Sequence, residues 1–282
     1  MQEISQQSMP DPAELCTQLG ITPLKRWGQN FLSNPNAIEE IAGHFPLDPE
    51  CSALEIGPGL GHLSHAILKR GVSLFSLEID SRMELSLSKL KTVFPKFSYK
   101  IDNALNQDWS ELCTTNKRLY FFGNLPYNLS TDLFCKALLE LPEAEGMAFL
   151  LQRETVDRLI AEPKSKEYGP SSILASMYGC ARLGSRLKGA HFYPPPHVES
   201  RILFLEKTEE SLLPKIDQID AFFHFITASF SMRRKTLKNN LSAANICWQN
   251  KIQEDLMHLL QLRPEEILPE EWYLLYNNLI KD

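Results

Sequence analysis

Apolar and β-branched residues along this chain fall into short runs that alternate with stretches of helical period. SALEIG, VSLFSLEI, FSYKI, RLYFFGNL and GMAFLLQ have the length and composition of strands, whereas 61–70, 82–93 and 130–140 repeat their apolar positions as helices do. Such alternation predicts an α/β fold: a parallel, doubly wound, Rossmann-like sheet with helices on both faces. SRILFLE (200–206), after the stiff Pro194-Pro195-Pro196, predicts a last strand closing that sheet. Beyond about Lys207 the strand signals stop. AFFHFITASF offers a helix an apolar face, and Pro264 and Pro269 mark helix starts. The expected organisation is an N-terminal extension (1–20), an α/β domain (21–207) and a smaller all-helical domain (208–282).

Composition narrows the class. Hydrophobic residues at 43% and charged residues at 23% describe a globular protein able to bury a core. No apolar run approaches the roughly 18 to 20 residues of a membrane span, and the first residues lack a basic region followed by an apolar one. A cytoplasmic protein without a membrane partner is expected. The six cysteines (Cys16, Cys51, Cys113, Cys135, Cys180, Cys247) form no C-x-x-C pair, so reduced, mostly buried thiols and no metal are expected. A net charge of -6 argues at first against a nucleic-acid partner, but the charge is unevenly spread. Residues 1–20 contribute -3 and 254–282 contribute -5, which leaves +2 for 21–253. Between 221 and 253 there is no acid at all, while Arg233, Arg234, Lys235, Lys238 and Lys251 form a basic stretch.

Two constellations carry chemistry. Leu54-Glu55-Ile56-Gly57-Pro58-Gly59-Leu60-Gly61 leaves a strand and enters a helix, and its glycines let the backbone pass close to a ligand. Glu78 ends the next strand, near the spacing of roughly 20 residues at which a carboxylate meets a ribose diol. Together they describe a site for an adenosine-containing cofactor. A dinucleotide prefers G-x-G-x-x-G with its pyrophosphate on the helix N-terminus; here the pattern is G-x-G-x-G and Glu55 precedes it. A negative Glu55 suits a ligand bearing an ammonium and a sulfonium, such as S-adenosylmethionine. For this segment alone, an NAD-dependent dehydrogenase is the alternative.

The second constellation is Gly123-Asn124-Leu125-Pro126-Tyr127, after the strand RLYFF. The lone pair of an adenine amino group is delocalised into its ring, so an enzyme acting there must hold the amine and favour a tetrahedral nitrogen. The Asn124 side-chain carbonyl and the Leu125 backbone carbonyl can each accept an N–H, Pro126 stiffens the turn, and Tyr127 offers a face to an unstacked base. An Asn-Pro loop with a core tyrosine is the plainer alternative.

The chain resembles the small-subunit rRNA adenine dimethyltransferase family (the KsgA type) from about Pro23 to Glu266. Beyond the two motifs above, the segment from Pro23 through Trp27-Gly28-Gln29-Asn30-Phe31-Leu32 resembles that family's opening signature. The resemblance implies that Gln29, Asn30 and Leu32 line the cofactor pocket. Gln152-Arg153-Glu154 with Asp157-Arg158-Leu159 and Tyr168-Gly169 resembles its middle block. Phe192-Tyr193-Pro194-Pro195-Pro196-His197-Val198-Glu199-Ser200 resembles its Pro-rich block, which implies that Phe192 sandwiches the target base against Tyr127. Phe230 through Arg233-Arg234-Lys235 and Lys238 to Leu241 resembles the block of its helical domain, which implies RNA contact by these four cations.

Two positions depart from the pattern. Asn34 stands where the family has Asp and is expected to cap a helix. The family's adenine-contacting Asp aligns with Asn103, with Asp102 beside it, and both are candidates for the cofactor adenine. His62 and His65 read as packing residues, Phe222, Phe223 and Phe225 as core, and Arg153 with Glu154 as a possible ion pair beneath the site. The resemblance implies a class I methyltransferase sheet and S-adenosylmethionine-dependent dimethylation of N6 at two adjacent adenosines in the 3′-terminal hairpin of small-subunit rRNA. It also implies a pre-ribosomal particle as partner, a role in ribosome biogenesis, and action as a monomer. The rivals are a large-subunit rRNA dimethyltransferase and a ribosome-assembly or transcription factor that keeps the fold without catalysis.

Overall fold

Tyr120, Phe121 and Phe122, consecutive on one strand, alternate between two aromatic clusters, and that alternation defines the two faces of the sheet. Phe121 packs with Trp109 and Phe149, whereas Tyr120 and Phe122 pack with Phe45. The computed structural model describes residues 9–112, 118–249 and 252–280. Its strands are β1 (Phe31–Leu32), β2 (Cys51–Ile56), β3 (Ser73–Glu78), β4 (Phe97–Ile101), β5 (Arg118–Asn124), β6 (Gly146–Gln152), β7 (Gly179–Leu187), β8 (Phe192–Tyr193) and β9 (Ser200–Lys207).

Seven of them form one sheet in the order β4-β3-β2-β5-β6-β9-β7, and β1 pairs with β8 apart from it. The pairs from β4 through β6 are parallel. Every residue of β2 is buried, as expected of a strand covered on both faces. The helices His62–Leu68, Glu84–Val93 and Ser130–Glu140 fall within the three helical stretches of the sequence. Register pairs Ile56 with Leu77 and with Gly123, so the carboxyl ends of β2, β3 and β5 lie side by side.

The expectation of a parallel sheet closed by 200–206 holds for β4 through β6 and is corrected in two respects beyond them. β9 runs antiparallel to β6, and it is not outermost, because β7 lies beyond it. GCARLGSRL carries two arginines and two glycines and is mostly exposed, so it lacks the apolar run by which the other strands are recognised. The edge position explains that composition. Gly184 has no room for a side chain, since a Cβ would lie 2.6 Å from Glu40 Oε1 and 2.9 Å from Ile202 Cβ. The next backbone N–H, of Ser185, donates to the same Glu40 oxygen at 2.9 Å.

Contacts divide the chain into Met1–Thr155 with Arg182–Glu206, and Val156–Ala181 with Lys207–Asp282. The segment 156–181, expected in the α/β domain, therefore groups with the C-terminal helices. Leu212 N–H donates to the Met177 carbonyl at 2.9 Å, and Tyr168 Oη donates to the Ile267 carbonyl at 3.0 Å. Phe222, Phe225, Trp272 and Tyr276 form the aromatic core of this second unit. Residues of the expected N-terminal extension likewise belong to the first unit. The helix Pro12–Leu19 is capped by Asp11, whose Oδ1 accepts the Ala13 N–H, and it ends at Gly20 with φ 65°. Leu15 and Cys16 of this helix join the first unit's apolar core. Cys51 and Cys135 are buried too, Cys180 and Cys247 are exposed, and Cys113 lies outside the described residues.

Because Leu15 is a core residue and not part of a tail, Leu15→Ala should lower unfolding free energy by about 2 to 4 kcal/mol in a denaturant titration.

Candidate active site

In an open parallel sheet the crevice lies at the carboxyl ends of the strands, and the residues that follow those ends line a single cleft here. Glu55 and Ile56 come from β2, Glu78 from β3, Asp102 and Asn103 follow β4, and Asn124 to Tyr127 follow β5. Gln29, Asn30 and Leu32 line the same cleft, as do the glycines 57 and 59.

Gly59 shows why the turn needs glycine. Its φ is 55°, and a Cβ would lie 2.9 Å from Phe31 Cε1. Gly61, at φ 89°, starts the helix His62–Leu68 but does not line the cleft, so its part is to shape the turn.

Both acidic candidates are buried, Glu55 at 1% and Glu78 at 4% exposure. Glu55 Oε2 accepts from Ser64 Oγ at 2.5 Å and Ser76 Oγ at 3.0 Å. Burial pushes the Glu55 carboxyl from 4.5 up to about 7, the two serines pull it down less strongly, and Glu78 adds to the rise. Glu78 is held by backbone: Gly59 N–H donates to Oε2 at 2.9 Å and Asp80 N–H to Oε1 at 2.8 Å. Burial raises its pKa against those bonds.

Asn124 Nδ2 donates to the Asn30 carbonyl at 3.1 Å, which leaves Oδ1 as the acceptor end for the cleft. Leu125 is tied to the sheet through its N–H, which donates to the Leu150 carbonyl at 3.3 Å. Tyr127 shares a 2.7 Å hydrogen bond between its Oη and Ser200 Oγ, and burial raises its phenol pKa. Pro126 stands against Gly28, where a Cβ would lie 3.2 Å from Pro126 Cβ.

The structure does not bring Phe192 to the cleft surface. It pairs with Leu32 across β1 and β8, is 4% exposed and belongs to the apolar core. Asp102 already takes the Gln107 amide at 3.0 Å and Lys100 Nζ at 3.2 Å, and the Lys100 hydrogen bond holds its carboxyl low. Asn103 caps a short turn by accepting the Leu105 N–H at 3.0 Å. Asn34 caps the helix Pro35–Gly43 through the Ala37 N–H. His62 Nε2 bonds the Pro10 carbonyl at 2.8 Å. Arg153 pairs with Glu199 at 3.8 Å rather than with Glu154.

Residues 23–276 match the family model described as ribosomal RNA adenine dimethylase. The chain belongs to that family. A ribosomal RNA small subunit methyltransferase A of Shewanella woodyi is 34% identical over 263 residues, 92% of this chain and 96% of the relative. The protein of the same name in Shewanella oneidensis is 36% identical over 260 residues, 92% and 95% of the two chains. Among solved structures, a dimethyladenosine transferase from Plasmodium falciparum superposes with a TM-score of 0.70 at 21% identity, covering 88% of this chain and 97% of that one. The 23S rRNA methyltransferase ErmE gives 0.59 at 23% identity, covering 89% and 99%. These two likenesses concern the fold, which is that of class I methyltransferases.

In this rRNA adenine dimethylase the basic stretch lies in the second unit. Arg234, Lys235 and Lys238 are exposed, with Lys238 Nζ 5.2 Å from the Trp248 ring centroid. Arg233 is also exposed, but one nitrogen of its guanidinium donates to the Lys166 and Tyr168 carbonyls. Asn240, wholly buried, accepts the Met232 N–H and donates to the Met232, Lys235 and Thr236 carbonyls, which fixes the shape of the loop. Lys251 lies outside the described residues. Sequence reasoning passed over Ser64, Ser76, Asp80 and Arg82, and named Ser200 only as the end of the Pro-rich block. Only the placement of Asp80 two residues after Glu78 offered a signal.

The raised Glu55 pKa means that the folded protein holds this proton more tightly than the unfolded chain. Its effect therefore favours folding at low pH and is lost as pH rises from the ordinary carboxylate range through about 7. Stability of the ligand-free protein should fall across that window, and Glu55→Gln should remove about 3 kcal/mol of that fall in denaturant titrations at stepped pH.

Proposed function

We propose that this protein uses S-adenosylmethionine to dimethylate N6 of two adjacent adenosines in the 3′-terminal hairpin of small-subunit rRNA. In this reading it acts as a monomer on a pre-ribosomal particle in the cytoplasm. The observation that carries the reading is the orientation of Asn124, whose amide nitrogen is spent on Asn30 and whose oxygen is left for an N–H donor, in a chain of the adenine dimethylase family.

The cleft residues fit the cofactor. Glu78 keeps lone pairs beyond its two backbone bonds, enough to accept a ribose diol, and the bare Gly59 backbone admits a ligand. Glu55 is a buried carboxyl that a nearby cation would ionise, and Asp102 and Asn103 supply polar groups for an adenine edge. When bound, S-adenosylmethionine supplies an electrophilic methyl on a sulfonium.

The remaining work falls to positioning and electrostatics. Asn124 Oδ1 and the Leu125 carbonyl each accept one N–H of the target amine, which turns its lone pair out of conjugation and toward the methyl. The methyl would exchange its S–C bond for an N–C bond, leaving a neutral thioether, and the nitrogen's proton would pass to water along this carbonyl-lined edge. The second methylation repeats the step on the same nitrogen with one N–H fewer. Tyr127, braced by Ser200, presents a ring on which the extruded base stacks. In the helical unit, Arg234, Lys235 and Lys238 contact rRNA phosphates.

Methyl transfer from labelled cofactor to unmethylated small subunits, followed by nucleoside analysis, tests the activity, with N6,N6-dimethyladenosine as the expected product. Asn124→Ala should lower turnover at least 100-fold with cofactor affinity nearly intact. Glu78→Ala should weaken cofactor binding by roughly 1.5 to 3 kcal/mol in calorimetry while RNA binding holds.

A triple Ala variant of Arg234, Lys235 and Lys238 should bind small subunits more weakly. Its log–log salt slope should be shallower by roughly 0.7 to 0.9 per lost phosphate contact. A folded triple variant with wild-type affinity and slope returns these cations to a solvated surface.

A further inference from the structure

The segment 22–30 lies outside the seven-stranded sheet yet forms a wall of the cleft through Trp27, Gly28, Gln29 and Asn30. It also touches the catalytic loop twice, through Gly28 against Pro126 and through the Asn30 carbonyl that accepts from Asn124. A strap with so little regular structure must be held by something else, because ordering each backbone residue is opposed by conformational entropy.

What holds it is a chain of polar contacts rooted in the loop after β3. Gln29 spends both ends of its amide internally: Oε1 accepts the Leu24 N–H at 2.8 Å, and Nε2 donates to Asp80 Oδ2 at 2.7 Å. Arg82 grips both oxygens of Asp80, with Nε donating to Oδ1 at 2.9 Å and Nη2 to Oδ2 at 2.5 Å, the oxygen that Gln29 shares, while Nη1 donates to the Thr22 carbonyl at 2.9 Å. Asp80 is 5% exposed, and its own N–H is one of the two that hold Glu78. Burial opposes ionisation of Asp80, but the bonds from Arg82 and Gln29 outweigh it and keep the carboxyl below its usual range. The ion pair is thus half buried and shared with two backbone segments, unlike a solvated surface pair.

We propose that Asp80 and Arg82 are positioning residues: a catch that holds the 22–30 strap over the cleft and so sets Glu78 for the cofactor and Asn124 for the amine. The proposal rests on the cofactor reading of the cleft given above. Gln29 then serves as a strut between strap and catch, and its contribution to the cofactor is made through Asn30 and Glu78.

The test compares Arg82→Gln and Gln29→Leu with Arg70→Gln, which breaks the Arg70–Glu39 ion pair outside the strap. Titration of the full chain with S-adenosylmethionine by calorimetry should show at least ten-fold weaker binding in the first two variants and little change in the third. Without cofactor, amide exchange at Leu24 should quicken at least ten-fold in the same two, with melting temperatures no lower than that of Arg70→Gln. On small subunits, both should raise KM for the cofactor and also lower kcat at saturating cofactor, since Asn124 loses its seat. Should Arg82→Gln fail to fold, the milder Gln29→Leu decides. Folded variants that bind the cofactor as wild type does, or an affinity loss matched by Arg70→Gln, overturn the proposal alone. Wild-type protein that binds no S-adenosylmethionine overturns the functional reading and this proposal with it.

Discussion

Two carboxylates at the ends of neighbouring parallel strands, Glu55 and Glu78, are almost wholly removed from water, and the rest of the site is arranged around that constraint. A buried carboxylate is costly unless hydrogen bonds or a counter-charge meet it. The chain meets Glu78 with two backbone N–H groups, one from the glycine turn and one from the loop that follows, so the turn and the acid hold each other. Glu55 receives only hydroxyl donors, and both go to one oxygen. The difference makes Glu78 a preset acceptor and leaves Glu55 poised to respond to a cation.

The same economy links the cleft to catalysis. One carbonyl, that of Asn30, accepts from the Asn124 amide nitrogen and so sets which way that amide is turned. In the helical unit, buried Asn240 does similar work for the loop that carries Arg234 and Lys235, using its amide to give the carbonyls and N–H groups of an irregular segment their partners. In both places an asparagine substitutes for regular secondary structure.

The parallel half of the sheet and the cleft-forming strand ends are legible in the sequence because β2 and β6 are almost wholly buried and β3 and β5 largely so, which concentrates short apolar runs in all four. Glu78 is legible from its distance to the glycine turn. β7 is not, because an edge strand with solvent on its flank is free to carry Arg182 and Arg186. The direction of β9 is hidden for a different reason: pairing partners 58 residues apart, such as Met147 and Leu205, leave no local signature. The return of 156–181 to the helical unit depends on long-range bonds such as Tyr168 to Ile267, and no local signal shows that Phe192 pairs with Leu32 and is buried in the core. The serines on Glu55 escape notice because a buried hydroxyl looks the same in sequence as an exposed one.

The outer strand of a sheet offers unpaired backbone groups to any passing chain, and proteins that leave such an edge open are prone to join edge to edge. Here Glu40 places its carboxylate on the Ser185 N–H, at a point where Gly184 lets it come close. One donor on the rim is thereby occupied by a charged acceptor, with Arg182 and Arg186 exposed on either side of it. A strand approaching from solution would have to displace an anion and bury two cations, so sheet growth by addition of a second chain is opposed by charge as well as by lost hydrogen bonding.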